Sequence, residues 1–297
     1  MDKRFKWKMG LTNLTALIRN LPPSIYKLGA QSWVDKKFPR HLFVEVTSAC
    51  NLSCAYCPRE KLTTHMDWNL FTSIIDEASH YGRRSFSLHL FGETLLYPKI
   101  IEAIQYIKRK NKHHTVLVTT NGTLLNKFAD RLVEAKVNKI IWSWRVNNFT
   151  SHTIDILRKH GKIRLLIQET PQEEFDRWKT FPDVEIKSLH NYGGNIDLSK
   201  WGLKVDSKDS VRWPCYHLWL APAVRWNGEI VECCNIPKSG TEVLGQYGTQ
   251  TIGSVWRGER LSKLREAHKK GIYPGACKNC SSWQAYPNIF WGHEYSV

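Results

Sequence analysis

His41-Leu-Phe-Val-Glu-Val-Thr-Ser-Ala-Cys50-Asn-Leu-Ser-Cys54-Ala-Tyr-Cys57 runs from a short apolar stretch straight into three cysteines spaced C-x3-C-x2-C. The stretch His41 to Val46 has the β-branched and aromatic content of a buried strand. The loop after it places three thiolates within eight residues. Each thiolate takes one iron of a cubic four-iron cluster, and three ligands leave the fourth iron open to something else. An open iron points to catalysis rather than electron carriage alone. Zinc is the alternative, but zinc sites usually join a tight cysteine pair to a distant second pair, a spacing this loop lacks.

Working outward, the pattern alternates between strand and helix. Strand-like Leu42 to Thr47 leads through the cysteine loop to Asp67, an N-cap, and then to Leu70, Phe71, Ile74, Ile75, Ala78 and Tyr81 at helical spacing, ended by Gly82. Ser85 to Phe91 reads as a second strand. A helix follows with Pro98 near its first turn, Ile100, Ile101, Ile104 and Ile107 inward, and Lys108 to Lys110 at its basic end. The cycle continues with strand Thr115 to Thr119, helix Leu124 to Lys136, strand Lys139 to Arg145, helix Thr150 to His160 and strand Lys162 to Gln168. A short helix around Phe175 and Trp178 and strand Val184 to Ser188 complete it. Six strands alternating with five helices require a parallel sheet with crossover helices. The predicted fold is α/β, a partial (β/α)6 barrel of the TIM type.

In such sheets ligands collect at the carboxyl ends of the strands. Cys50 to Cys57, Gly92-Glu93 and Thr120-Asn121-Gly122 all fall there, and Ser143, Arg145 and Gln168 lie on or just beyond strands four and five. After Asn191-Tyr-Gly-Gly194 the rhythm is lost and the chain turns rich in Trp, Pro, Gly and Cys. Three segments are expected: a basic N-terminal extension over residues 1–40, the barrel over 41–195, and a cysteine-rich domain with an aromatic tail over 205–297. The tail (Trp283, Tyr286, Phe290, Trp291, Tyr295) either packs or roofs the site.

At 297 residues, 42% hydrophobic and 24% charged, the chain has the composition of a soluble globular protein, with no apolar run long enough for a membrane span. Residues 1–40 hold nine Lys or Arg against two Asp, but polar residues and Pro22-Pro23 break their apolar stretches, so a secretory signal is not expected. Eight cysteines in a large chain without that signal suit metal ligation in a reducing cytoplasm better than disulfides. The net charge of +16 favours anionic partners, an anionic substrate among them.

A second cysteine set, Cys215, Cys233 or Cys234, Cys277 and Cys280, offers four ligands for a closed site. Cys233 lies five residues after Gly228, and Cys277 and Cys280 form a C-x2-C pair. A structural zinc is one occupant of such a site.

Taken in order, Cys50-x3-Cys54-x2-Cys57 after a first strand, Phe91-Gly92-Glu93 after a second and Thr120-Asn121-Gly122 after a third make the chain resemble a radical S-adenosylmethionine enzyme over residues 40–190. The resemblance implies that Cys50, Cys54 and Cys57 hold a 4Fe-4S cluster whose open iron binds S-adenosylmethionine, which is cleaved to a 5′-deoxyadenosyl radical. It implies that Tyr56 lies beside the adenine and that Gly92 and Glu93 receive the methionine ammonium. Thr120 and Asn121 would approach the ribose and carboxylate, with Ser143, Arg145 and Gln168 contacting cofactor or substrate. The family's Gly-Gly-Glu-Pro motif is altered here, with Phe91 for the first glycine and Thr94 for the proline. Behind such a core the second set resembles the auxiliary-cluster modules called SPASM and twitch. It implies one auxiliary 4Fe-4S cluster on Cys215, Cys233, Cys277 and Cys280, with Cys234 the spare thiol.

The function expected from this resemblance is a cytoplasmic oxidoreductase of dehydrogenase type acting on a small polar molecule such as a sugar, aminocyclitol or glycan precursor. The auxiliary cluster would accept an electron, and flavodoxin or ferredoxin would supply one to the first cluster. Open alternatives are a peptide substrate, RNA modification, and a non-catalytic zinc-stabilised binding protein. Nucleic acid is not expected as a partner, since no RNA-binding motif accompanies the basic charge. The deprotonating base has no candidate at this level.

Overall fold

The computed structural model describes residues 36–144, 153, 155–156, 159, 163–167, 184–186, 191–201, 212, 214–215, 217–237 and 242–281. The expected helix around Phe175 and Trp178, most of the one at 150–160, and the aromatic tail lie outside them.

Six strands, β1 (His41–Val44), β2 (Ser85–Leu88), β3 (Thr115–Thr120), β4 (Lys139–Trp144), β5 (Ile163–Ile167) and β6 (Val184–Ile186), lie side by side in chain order. Every neighbouring pair among them is parallel. Strands laid down in sequence by right-handed crossovers return on the same face each time. The helices described between β1 and β4 pack against one face of the sheet, an arrangement compatible with a partial barrel.

Side-chain alternation separates the two faces. Leu42, Val44, Phe86, Leu88, Val116, Val118, Ile140 and Trp142 join the main core with the helices, whereas Leu117 and Ile141 form a small cluster of their own. The row that includes these two also carries Ser85, Ser87, Thr119 and Ser143. A polar inner face of this kind suits a ligand, not a packed core.

The helices follow their sequence signals. In α1 (Trp68–Ser79) the Asp67 carboxylate accepts the amides of Asn69 and Leu70, and Phe71, Ile74, Ile75 and Ala78 are buried. In α2 (Ile100–Lys110) five apolar residues face the core, and Lys108, Arg109 and Lys110 complement the negative helix end. In α3 (Leu125–Glu134) the buried set is Leu125, Ala129 and Leu132.

The C-terminal segment does not stand apart from the barrel. β7 (Ala223–Val224) pairs in parallel with β1, and β8 (Glu229–Val231) and β9 (Val243–Gln246) continue from it antiparallel, giving one nine-stranded sheet. The β7–β8 turn closes at Gly228, whose φ of +86° suits glycine, with its amide 2.9 Å from the Arg225 carbonyl. Three helices, α4 (His217–Leu220), α5 (Ile252–Trp256) and α6 (Glu259–Lys269), pack around this extension. Glu77 of α1 caps α5 by accepting the amides of Ile252 and Gly253 at 3.0 and 2.9 Å. No helix among the described residues is long and apolar enough to cross a membrane.

Ile104 is fully buried in the middle of the α2 face. Ile104→Ala should lower the unfolding free energy by about 2–5 kcal/mol. Anaerobic denaturant titration checks this, with the midpoint falling and the slope unchanged.

Candidate functional site

At the carboxyl ends of β1, β2 and β3 the three sequence motifs meet. β2 is shorter than expected, because the chain leaves the sheet after Leu88 and crosses towards the cysteine loop. A Cβ at Gly92 would stand 2.1 Å from the Thr47 carbonyl oxygen and 2.9 Å from that of Ala49, so only glycine allows this approach. The Glu93 amide donates to the Ala49 carbonyl at 2.7 Å.

Glu93 is 2% exposed, and its carboxylate is taken up within the protein. It accepts the Thr120 hydroxyl at 2.6 Å, the Asn121 amide at 2.6 Å and the Leu95 amide at 3.1 Å. Burial raises the pKa of this carboxyl, and those three donors oppose the rise. Asn121 then reaches back to the cysteine loop: its side-chain amide lies 3.9 Å from the Cys50 sulfur and donates to Asn51 Oδ1 at 2.9 Å. Thr123 donates twice to Asn121 Oδ1, which holds the amide in this orientation.

Cys50, Cys54 and Cys57 are outside any disulfide and part-exposed, and the Cys57 amide closes a turn on the Cys54 carbonyl at 3.0 Å. The Arg59 guanidinium braces the loop through the Leu52 carbonyl at 3.3 Å and the Cys50 carbonyl at 3.5 Å. Burial pushes the Cys57 thiol pKa up, and Cys54 and Cys50 add to it. Among the described residues no three His, Cys, Asp or Glu side chains converge on a single-ion position. Three thiols gathered on one loop form a soft all-sulfur donor set suited to a cationic iron-sulfur core. Tyr56 is part-exposed on this loop and Ser143 part-exposed on β4, while Arg145 and Gln168 lie outside the described residues.

The second cysteine set also comes together. Cys233 is close enough to Cys215 and Cys234 for all three to interact, and the contact with Cys234 and burial push its pKa well up. Cys234 is 6% exposed and belongs to the hydrophobic core, whereas Cys233 is part-exposed. Burial pushes the Cys277 thiol up to about 12, with Cys215, Glu232 and Cys280 adding and Arg212 opposing.

Arg212 clamps the C-x2-C loop. Its guanidinium donates to the carbonyls of Cys277 and Lys278 and lies 4.0 Å above the Tyr273 ring, whose hydroxyl donates to the Arg212 carbonyl at 2.7 Å. His268 Nδ1 accepts the Cys215 amide at 3.4 Å. Asn191 exchanges hydrogen bonds with Ser281, and Gly194, at φ +81°, leaves room for the Asn279 side chain. Next to it, Tyr192 meets Phe91 with ring centroids 6.1 Å apart. The turn after the last barrel strand therefore touches both cysteine sites.

Between the cysteine loop and the β7–β8 hairpin lies a small open cleft whose lining includes Glu45, Ser48, Arg59, Phe91, Arg225, Trp226 and Pro237. Glu45 is 3% exposed, accepts the Trp226 amide at 3.4 Å, and has its carboxyl raised to about 7 by burial, with Arg225 the main opposing influence. Arg225 is itself buried, 3.7 Å from Glu229 and donating to the Ile236 carbonyl at 3.4 Å. Glu45, Arg212, Arg225 and Tyr192 have no spacing signal in the sequence. A charged residue inside the otherwise apolar run His41 to Val46 was the one available hint.

Two family models match, the Radical SAM superfamily over residues 44–143 and an iron-sulfur cluster-binding domain, SPASM, over 215–281. The chain is 21% identical to the tungsten-containing aldehyde ferredoxin oxidoreductase cofactor-modifying protein of Pyrococcus furiosus, over 86% of this chain and 93% of that protein. It is 26% identical to the S-adenosyl-L-methionine-dependent 2-deoxy-scyllo-inosamine dehydrogenase of Niallia circulans, over 84% of this chain and 95% of that one. Among solved structures, that of BtrN in complex with AdoMet and 2-DOIA superimposes with a TM-score of 0.65 at 22% identity, covering 84% of this chain and 98% of BtrN. With both domains matched in the order in which their cysteines occur, the chain belongs to the radical SAM superfamily, an enzyme of S-adenosylmethionine and a 4Fe-4S cluster with an auxiliary iron-sulfur SPASM domain.

Proposed function

We propose that this enzyme is a dehydrogenase-type oxidoreductase acting on a small polar substrate, a sugar, aminocyclitol or glycan precursor, with the auxiliary cluster as electron acceptor. The observation that carries this reading is that the two cysteine sets are borne by one continuous sheet, with β7 paired to β1. The small cleft between the cysteine loop and the β7–β8 hairpin mixes Phe91 and Trp226 with Glu45, Arg59 and Arg225. The dehydrogenase of Niallia circulans, whose name states an aminocyclitol substrate, aligns along nearly its whole length.

In this reading Cys50, Cys54 and Cys57 hold the first cluster, and Cys215, Cys233, Cys277 and Cys280 the auxiliary one. Cys234 remains a core residue. When bound, S-adenosylmethionine and the first cluster supply a 5′-deoxyadenosyl radical that removes a hydrogen atom. Gly92 lets the β2 end pack against the cysteine loop, and Thr120 and Asn121 fix the rim on which the cofactor lies. Tyr56, Ser143, Arg145 and Gln168 are the further cofactor or substrate contacts. Arg212 and His268 hold the auxiliary loop. The functional boundary falls near residue 200, between a core at 41–195 and the auxiliary domain at 205–297, with 1–40 as a basic extension. A small iron-sulfur or flavin protein such as ferredoxin or flavodoxin supplies the electron, and the setting is the cytoplasm.

Anaerobically reconstituted protein should hold about eight irons per chain, two four-iron clusters, and should cleave S-adenosylmethionine to 5′-deoxyadenosine once reduced. Cys54→Ala should abolish cleavage. Cys280→Ala should lose about half the iron and all substrate oxidation while still forming 5′-deoxyadenosine; zinc in place of that iron would remove the electron acceptor from the scheme.

The substrate class is checked with 2-deoxy-scyllo-inosamine deuterated at its carbinol carbons. Deuterium in the recovered 5′-deoxyadenosine, together with a ketone product, is the expected result. Unlabelled 5′-deoxyadenosine and unchanged probe would count against an aminocyclitol.

A further inference from the structure

We propose that Arg212 is a positioning residue of the auxiliary site. Its guanidinium ties the loop that carries Cys277 and Cys280 to the segment that carries Cys215, and it keeps a fixed positive charge beside the cluster that raises the cluster's reduction potential. The assignment rests on the reading above in which these cysteines hold an iron-sulfur cluster.

The cysteines of this set come from distant parts of the chain, Cys215 and Cys233 from one and Cys277-x2-Cys280 from another. Cys277 and Cys280 share a tight turn, the Cys280 amide lying 3.3 Å from the Cys277 carbonyl. That same carbonyl accepts one arm of the Arg212 guanidinium, and the Lys278 carbonyl accepts the other at 2.9 Å. Arg212 precedes Cys215 by three residues, so fastening its side chain to the turn sets how closely the two segments approach.

A ring of contacts closes behind the guanidinium. It lies 4.0 Å from the centroid of the Tyr273 ring, whose hydroxyl donates to the Arg212 carbonyl at 2.7 Å. The Tyr273 ring meets His268 edge-on with centroids 4.9 Å apart, and His268 Nδ1 accepts the Cys215 amide at 3.4 Å. Arg212, Tyr273, His268 and Cys215 form a cross-brace. A planar fork can stack on a ring while bonding two carbonyls, and an ammonium cannot.

The charge at this brace is that of Arg212. Burial, with Arg212 adding to it, lowers the pKa of His268 to about 4, so its imidazole is neutral at pH 7. Cys215, Glu232 and Cys280 disfavour the Cys277 thiolate, whereas Arg212 favours it. Lys278 is exposed, where solvent and salt screen its charge. Uptake of one electron adds one negative charge to a cluster, so a fixed cation beside it favours the reduced form. In the oxidation proposed above that electron comes from the substrate radical, and a higher potential favours its transfer.

The test is a redox titration of the full-length holoenzyme, followed by electron paramagnetic resonance on the cluster signal that S-adenosylmethionine leaves unchanged. In Arg212→Gln the ratio of reduced to oxidised auxiliary cluster at a fixed potential should fall about tenfold, a midpoint lower by about 59 mV for one electron, while the first cluster keeps its midpoint. An unchanged auxiliary midpoint in this variant, with both clusters loaded, overturns the proposal.

Arg212→Lys returns the charge without the fork. It should restore most of the midpoint and yet lose the iron of the second cluster to a chelator about tenfold faster than wild type. Chelator resistance equal to wild type overturns the clamp. Should Arg212→Gln fold with its first cluster but take up no second one, the Lys variant decides: a loaded second cluster is expected, and its absence there too overturns the role of the charge. Zinc in the wild-type second site would end the auxiliary-cluster reading. The clamp is then judged by zinc release to a chromogenic chelator, expected faster from Arg212→Lys and overturned by equal rates.

Discussion

The buried carboxylate of Glu93 is the joint on which the mouth of the barrel depends. It accepts Thr120 Oγ1, the Asn121 amide and the Leu95 amide, and its own backbone amide binds Ala49. Gly92 removes the side chain that would collide with Thr47, so three strand ends become one unit. Asn121 extends that unit to Cys50 and Asn51. Loss of the carboxylate would leave several buried donors unpaired, each costing about 1–3 kcal/mol, and would free the cysteine loop to move. A residue that resembles a cofactor ligand in sequence is thus also the brace that orients the cysteines.

A second constraint is the continuity of the sheet. The parallel pairing of β7 with β1 brings Arg225 and Trp226 beside Glu45, and the same hairpin leads to Cys233. From the other end of the barrel, Asn191 fastens to Ser281 while Tyr192 meets Phe91. The separation of the two cysteine sites is set by backbone pairing and loop docking. Electron transfer and radical chemistry both require that separation to be held, and here the protein backbone supplies it.

Much of this was legible in the chain. Asp67, the Phe71 to Ala78 face and the basic end of α2 act locally, and each element forms near its expected bounds. Strands came out shorter: β1 ends at Val44 and β2 at Leu88, because the residues beyond them turn away to build the mouth. Of the adjacent pair, Cys234 is buried in the core and Cys233 is part-exposed, a difference that sequence spacing does not show. Arg212 was not legible, since its value lies in two carbonyls about 65 residues away and in the Tyr273 ring.

By itself the sequence determined the parallel α/β core and the two cysteine sets, because periodicity, capping and ligand spacing are local, and the radical chemistry followed from the family those motifs resemble. Only the tertiary structure decided that the auxiliary domain continues the barrel sheet and that Glu93 braces the barrel mouth. It also decided that Glu45 is buried against the β7–β8 hairpin. Those outcomes depend on non-local pairing and on exclusion of water, and neither is written in any short stretch of chain.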